Sequence, residues 1–140
     1  MSTIDFEINK EYCRVITPSQ LTPDKNWISY SLYIRVDEVE YIRVGKLGSF
    51  RFAPGDYIYS GSARRGISAR VNRHLRQEKK LRWHIDYLLA APSVQITRVR
   101  LSTASECRLV AEGGGAVVVS GFGASDCSNS CGSHLRCLSC

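Results

Sequence analysis

The chain has no apolar run approaching the roughly 18 residues that a membrane-spanning helix requires, so a helical membrane protein is not expected. Its opening, MSTIDFEINK, has neither a basic start nor an apolar stretch, which argues against a secretory signal. There is no internal repeat, which sets repeat architectures aside, and no recognisable base-reading module. The expectation is a cytoplasmic protein that does not engage a membrane, with its six cysteines reduced. With 140 residues, 44% of them hydrophobic and 23% charged, the chain suits one globular domain able to bury a core without disulfides.

Acidic residues are nearly missing from one segment. Between Arg64 and Arg82 there are eight Lys/Arg and a single acid, Glu78, a local balance of +7. The whole chain sums to +6, so the remainder carries about −1. Phosphate-binding surfaces have this character, because each cation that meets a phosphate releases a condensed counterion. The plainer alternative is a solvated helix face.

Residues 1–26 show no clear period and are interrupted by Pro18 and Pro23; they read as an N-terminal extension with a short strand around Cys13 to Ile16. "WISYSLYIRV" (27–36) is aromatic and β-branched, a strand. "EYIRVGKLGSFRF" (40–52), broken by Gly45 and Gly48, suggests a hairpin with a bulge or kink. "DYIYSGS" (56–62) is a third strand, ending at Gly61. A helix over 67–78 has Ile67, Val71 and Leu75 on one stripe, which places His74 and Arg70 where the buried face meets solvent, one turn apart. Then follow a helix over 81–91 ended by Pro92, a strand over 93–103, a helix over 104–112 stopped by three glycines, an extended "AVVVSGF", and a polar Cys-rich tail over 125–140. The expected fold is α+β, a small, mostly antiparallel sheet of three to four strands flanked by helices, with the domain over 27–124.

"PGDYIYSGSA…R…RHLR…KK…WHIDYLL", with "GFGASDC…C…SHL" near the end, resembles the GIY-YIG nuclease superfamily, in particular its branch of small uncharacterised proteins. The resemblance covers roughly residues 27–135, and its specific part is Pro54 to Leu89. It implies that Tyr59 and Gly61 belong to the second signature motif, with Ser60 replacing the usual Ile. Arg70 and His74 match the helix pair, and Glu106 the metal-binding glutamate of a later helix. Tyr30 is the choice for the first-motif tyrosine, with Ile28 standing where the family has glycine; Tyr33 is its rival.

Phosphodiester hydrolysis calls for these residue types. A hard divalent cation, Mg²⁺ or Mn²⁺, wants a carboxylate, here Glu106, with waters completing its shell. Arg70 offers a positive fork to the phosphate. A base must take a proton from water. Tyrosine titrates near about 10, so Tyr30 or Tyr59 would need help from cations, and His74 could act instead or pass the proton on. Gly61 and Ser62 are expected to let phosphate approach the backbone, and Arg64, Arg65, Arg73, Arg76, Lys79 and Lys80 to bind nucleic acid, DNA ahead of RNA. Each residue also has a structural use: tyrosines in a sheet, His74 in a core, Arg70 in solvent, and Glu106 as the last member of a capping box, Thr103-Ala104-Ser105-Glu106. Trp83 reads as a core anchor, and His84 and Asp86 have no assigned role.

Cys127, Cys131, His134, Cys137 and Cys140 follow the spacing C-x₃-C-x₂-H-x₂-C-x₂-C. The first four could hold Zn²⁺. Free thiols are the alternative, and the branch resemblance suggests that Cys127, Cys131 and His134 line or brace the site without metal. The functional expectation is a metal-dependent endonuclease of the GIY-YIG type. The alternatives are a non-catalytic nucleic-acid-binding module on the same fold and an interaction domain organised by a zinc-binding tail.

Overall fold

A computed structural model describes residues 3–8, 27–63, 66–76, 78–123 and 133–139. The expected strand near Cys13 and the cations Arg64 and Arg65 lie outside these. Among the described residues no helix is long and apolar enough to cross a membrane.

The chain forms an α+β fold around a mixed-length, antiparallel sheet. Its strands are β1 (Thr3–Glu7), β2 (Ser29–Val36), β5 (Gly55–Ser62), β6 (Val94–Ser102), β7 (Ala116–Val117) and β8 (Leu135–Cys137), in the spatial order β1-β6-β2-β5-β8-β7. A separate hairpin pairs β3 (Glu40–Val44) with β4 (Gly48–Phe52) across a 3₁₀ turn at Gly45–Leu47. The sheet is larger than the three to four strands expected, because β1 comes from the presumed N-terminal extension and β8 from the presumed tail. Both are too short to show a period in sequence; pairing with β6 and β5 makes them strands.

Strict alternation sorts the two faces. Tyr30, Leu32, Ile34 and Val36 of β2 point to one side with Tyr57 and Tyr59 of β5 and Val99 and Leu101 of β6, and all are buried. The hairpin, α1 (Ile67–Leu75) and α2 (His84–Leu89) cover that side, contributing Val44, Phe52, Ile67, Val71, Ile85 and Leu88 to the core. On the other side α3 (Glu106–Gly113) lies across a floor of small residues. Ser29, Ser31, Ser60 and Ser102 are each at most 2% exposed. Small side chains let a helix approach closely, and their hydroxyls are satisfied. Ser29 Oγ donates to the Ala104 carbonyl at 2.6 Å, Ser31 and Ser60 bond each other at 2.8 Å, and Ser102 Oγ accepts from the Ala104 N–H at 3.0 Å.

The helices are shorter than their sequence patterns suggested, each for a visible reason. α1 stops at Leu75: Arg76 is extended (φ −70°, ψ 135°), and the Lys79 ammonium takes the freed carbonyls of Arg73 (3.2 Å) and His74 (2.7 Å). α2 starts only at His84 because the Asp86 carboxylate accepts the backbone N–H groups of Arg82 and Trp83, both at 2.9 Å. α3 starts at Glu106 because Ser105 is its N-cap, accepting from the Arg108 N–H at 3.2 Å. In "AVVVSGF" only Ala116 and Val117 pair as strand; Val119 and Phe122 turn inward to the core.

Asp86 is fully buried and joins both helices. Arg73 donates from both terminal nitrogens to its two oxygens, each at 2.9 Å, and also to the Lys80 carbonyl at 2.9 Å. Burial alone would push the Asp86 carboxyl up. The Arg73 fork and the two backbone donors outweigh it and hold the group below the usual carboxylate range. Removing one partner of such a pair strands a charge in the interior. Arg73→Met, which keeps the stem but deletes the fork, is expected to lower unfolding free energy by about 3–5 kcal/mol. Urea unfolding at neutral pH, read as a shift in midpoint at constant slope, measures it.

Candidate active site

The end of β5 gathers the chemistry. The Tyr30 hydroxyl lies 2.7 Å from His74 Nε2. Tyr30 and Gly61 are cross-strand partners, and a Cβ at position 61 would sit 2.5 Å from Tyr30 Oη. Glycine is therefore required there because the phenol crosses the strand to reach α1. This corrects the expected role of Gly61: the space it opens is filled by Tyr30 rather than left to a phosphate. Tyr33, the rival, points to the opposite face, where Arg98 stacks over its ring at 3.9 Å.

Tyr59 is 8% exposed, edge-on to His74 and Phe122 with centroids 6.2 Å away in both cases. The backbone of Gly123, at φ +67°, closes over its ring; a Cβ there would lie 2.8 Å from Tyr59 Cε1. His84 holds that turn, its Nδ1 accepting from the Gly123 N–H at 2.9 Å. His84 thus has a definite positioning role that its sequence context did not supply.

His74 is 2% exposed, packed among the rings of Tyr30, Tyr59 and Trp83. Its Nδ1 has no hydrogen-bond partner among the described residues. Burial, assisted by the Lys79 charge, pulls its pKa down to about 3, so the ring is neutral. Burial also pushes the Tyr30 and Tyr59 phenols well up, with Glu106 adding to the rise and Arg70 opposing it. Arg70 is exposed, its guanidinium 4.8 Å from the Trp83 ring centroid, and its charge acts on Tyr30, Tyr59, His74 and Glu106 alike.

Glu106 enters from the other layer. Its Oε2 accepts from Ser62 Oγ at 2.9 Å and its Oε1 lies 2.6 Å from His134 Nδ1. Burial would raise its carboxyl, but the His134 and Ser62 hydrogen bonds and the Arg70 charge prevail and hold it down, hence ionised. Ser105, two residues beyond Thr103, is the N-cap of α3, and the Glu106 carboxylate faces Ser62 and His134. Ser29 and Ser102 pin Ala104 and so fix where α3 begins. His134 is held by backbone bonds, its N–H to the Phe122 carbonyl at 2.8 Å and its carbonyl from the Ser60 N–H at 3.1 Å. The side chain of Glu106 is 27% exposed. A lone ionised carboxylate with spare lone pairs and access to water is the donor set Mg²⁺ accepts. No cluster of three or more metal-ligating side chains occurs among the described residues.

All five residues expected to be catalytic, Tyr30, Tyr59, Arg70, His74 and Glu106, therefore meet. His134 and Trp83 join them. His134 was read either as a zinc ligand of the tail or as a residue bracing the site, and Trp83 as a core anchor. Trp83 does pack against the core, and it also carries two guanidinium groups, Arg70 at 4.8 Å and Arg73 at 4.2 Å. Of the expected nucleic-acid contacts, Arg73 is committed to Asp86 and Lys79 to the end of α1. Lys79 is half-buried, and burial lowers its pKa to about 8. Both are corrected from phosphate ligands to structural groups. Arg76 and Lys80 remain exposed and, with Arg73, Lys79, Arg82 and one acid, Glu78, line an open cleft of about 500 Å³.

The zinc set is not assembled as expected. Cys127 and Cys131 lie outside the described residues, and His134 serves Glu106. Cys137 is disulfide-bonded and offers no thiolate, which also corrects the expectation of six reduced cysteines.

A layered α+β domain with a carboxylate, an arginine, two tyrosines and two histidines at one sheet end defines a candidate functional site. By family the chain belongs to the domain of unknown function DUF123, whose model matches residues 29–139. No curated protein and no solved structure matches it.

The His74 environment predicts a pH dependence. Its folded pKa lies below the unfolded value, so below about pH 6.5 the unfolded chain binds a proton that the folded one refuses. Stability is expected to fall as pH drops from that point toward about 3. His74→Gln should remove this component, and urea midpoints measured across that range for both proteins check it.

Proposed function

We propose that this domain binds nucleic acid, DNA in the first instance, and hydrolyses a phosphodiester bond in it with the help of a divalent cation. The observation that carries the reading is the convergence of Tyr30, Tyr59, Arg70, His74 and Glu106 from separate elements onto one end of β5. Their order along the chain is the one for which it resembles the GIY-YIG nucleases.

Bound at Glu106 and otherwise by water, Mg²⁺ or Mn²⁺ would neutralise charge on the phosphate oxygens. The exposed Arg70 guanidinium, over the Trp83 ring, holds the phosphate and meets charge as it builds. Tyr30 and Tyr59, both neutral and buried, flank His74 behind Arg70 and Glu106. The short bond to His74 fixes the orientation of the Tyr30 hydroxyl. His134 and Ser62 orient the Glu106 carboxylate and keep it ionised. Arg76, Lys80 and Arg82 attract the polyanion along the neighbouring cleft.

A non-catalytic binding module is the second reading. It is favoured by the burial that holds both phenols protonated. Labelled DNA and RNA forms incubated with Mg²⁺, Mn²⁺ or EDTA separate the two. Cleavage is expected with metal only. Glu106→Gln should abolish it with binding retained, and Arg70→Ala should slow it by about 10²–10³-fold. The triple change of Arg76, Lys80 and Arg82 to Ala should weaken binding to any sequence and flatten its salt dependence. If the wild-type protein cuts nothing in any metal yet binds, the binding-module reading replaces the nuclease.

A further inference from the structure

We propose that the outward face of the β3–β4 hairpin is a second nucleic-acid contact, where an unpaired base of a single strand stacks on Tyr41 while Arg43, Arg51 and Lys46 hold the phosphates beside it. The proposal rests on the nucleic-acid reading above but on different residues.

Alternation turns Val44 and Phe52 into the core, with Ile42 and Phe50 packed against it, and leaves Tyr41, Arg43, Ser49 and Arg51 exposed. The register sets Tyr41 directly opposite Arg51, and Arg43 opposite Ser49. The tyrosine ring thus has one guanidinium across the ladder and another two residues along its own strand, about 6.8 Å away. Tyr41 is 76% exposed, more than any other large hydrophobic side chain of the described residues. It contributes nothing to the core, so packing does not explain an aromatic there.

The charges on this face are uncommitted. Neither Arg43 nor Arg51 takes part in any ion pair among the described residues, and Lys46 is exposed in the turn. The hairpin's one acid, Glu40, is turned away, its carboxylate accepting from the Ser93 N–H at 3.0 Å and Ser93 Oγ at 2.7 Å. The hairpin therefore offers three cations and an open π-face with no competing carboxylate. Cations that track a backbone beside an aromatic on which bases stack are the means by which proteins hold single strands. Bases within a duplex are already stacked on each other and leave no face for Tyr41.

The platform is anchored in the core and against α2. Phe52 packs edge-on to Tyr57 and Phe122, and Gly45 lies against the Tyr87 ring of α2. α2 in turn follows the cationic cleft, and the hairpin, α1 and α2 all cover one face of the sheet.

Fluorescence anisotropy with a short labelled single strand and its matching duplex tests this. Tyr41→Ala is expected to weaken single-strand binding about five- to a hundredfold, with duplex binding little changed. Tyr41→Phe should stay near wild type. Arg43→Ala with Arg51→Ala should reduce the single-strand salt slope by about 1.4. Melting temperatures should not move, since all three residues are exposed. If Tyr41→Ala binds like wild type while the Arg76, Lys80 and Arg82 change weakens binding, the hairpin proposal fails and the nucleic-acid reading stands. If wild type binds no nucleic acid, both fail. If Tyr41→Ala splits a dimer and leaves nucleic-acid affinity unchanged, the face belongs to a second copy of the chain and the proposal is overturned.

Discussion

The hydrogen bond between the Tyr30 hydroxyl and His74 crosses three elements, and the geometry of the site follows from it. The phenol starts on β2, passes over β5 where Gly61 leaves room, and ends on α1. Any side chain at position 61 would displace the ring, and with it the hydroxyl bonded to His74 Nε2. The same bond sets how closely α1 approaches the sheet, and so where Arg70 stands one turn earlier. Around it, Tyr59, Trp83 and Phe122 form an aromatic wall that keeps water from the imidazole. That exclusion is why the ring is neutral and why the neighbouring phenols resist ionisation.

A second constraint acts on the basic segment. Its high positive charge reads as a single surface in the sequence, but the fold divides it. Arg73 neutralises a carboxylate buried under the helices, and Lys79 closes the end of α1. Without them α1 and α2 would not be held against each other, and there would be no cleft for Arg76, Lys80 and Arg82 to rim. Part of the charge builds the surface and part of it is the surface. Trp83 touches both parts, with the site's Arg70 and the structural Arg73 each over its ring.

Glu106 shows how the two layers cooperate. The residue belongs to α3, on the far side of the sheet from Tyr30 and His74. Its carboxylate reaches the site because the helix begins at the sheet's end, fixed by the Ser29 and Ser102 hydroxyls. His134, from the residues just before β8, then holds the carboxylate from above. A stretch that looks like a cysteine-rich tail thus contributes a strand to the sheet and a histidine to the site.

The central strands β2, β5 and β6 and the existence of all three helices were legible in the sequence, because each carries a strong hydrophobic period or a clear stop. So were the five residues at the end of β5, since their types and order are written along the chain. Helix ends were less legible: they depend on Lys79, Asp86 and Ser105 satisfying particular backbone groups, and competing caps such as Thr103 look equally good in one dimension. β1 and β8 were invisible because strands of five and three residues acquire their identity only from a neighbour's ladder. The functions of Gly61, Arg73 and Lys79 were misassigned for a related reason. Glycine leaves room whatever then fills it, and a cation reads the same whether its partner is a phosphate or a buried aspartate. Composition and periodicity determined the α+β class and the residue types available for chemistry. Which of those residues meet, and which charges remain free, was decided only when distant segments packed, because a partner's identity depends on spatial proximity that local sequence does not encode.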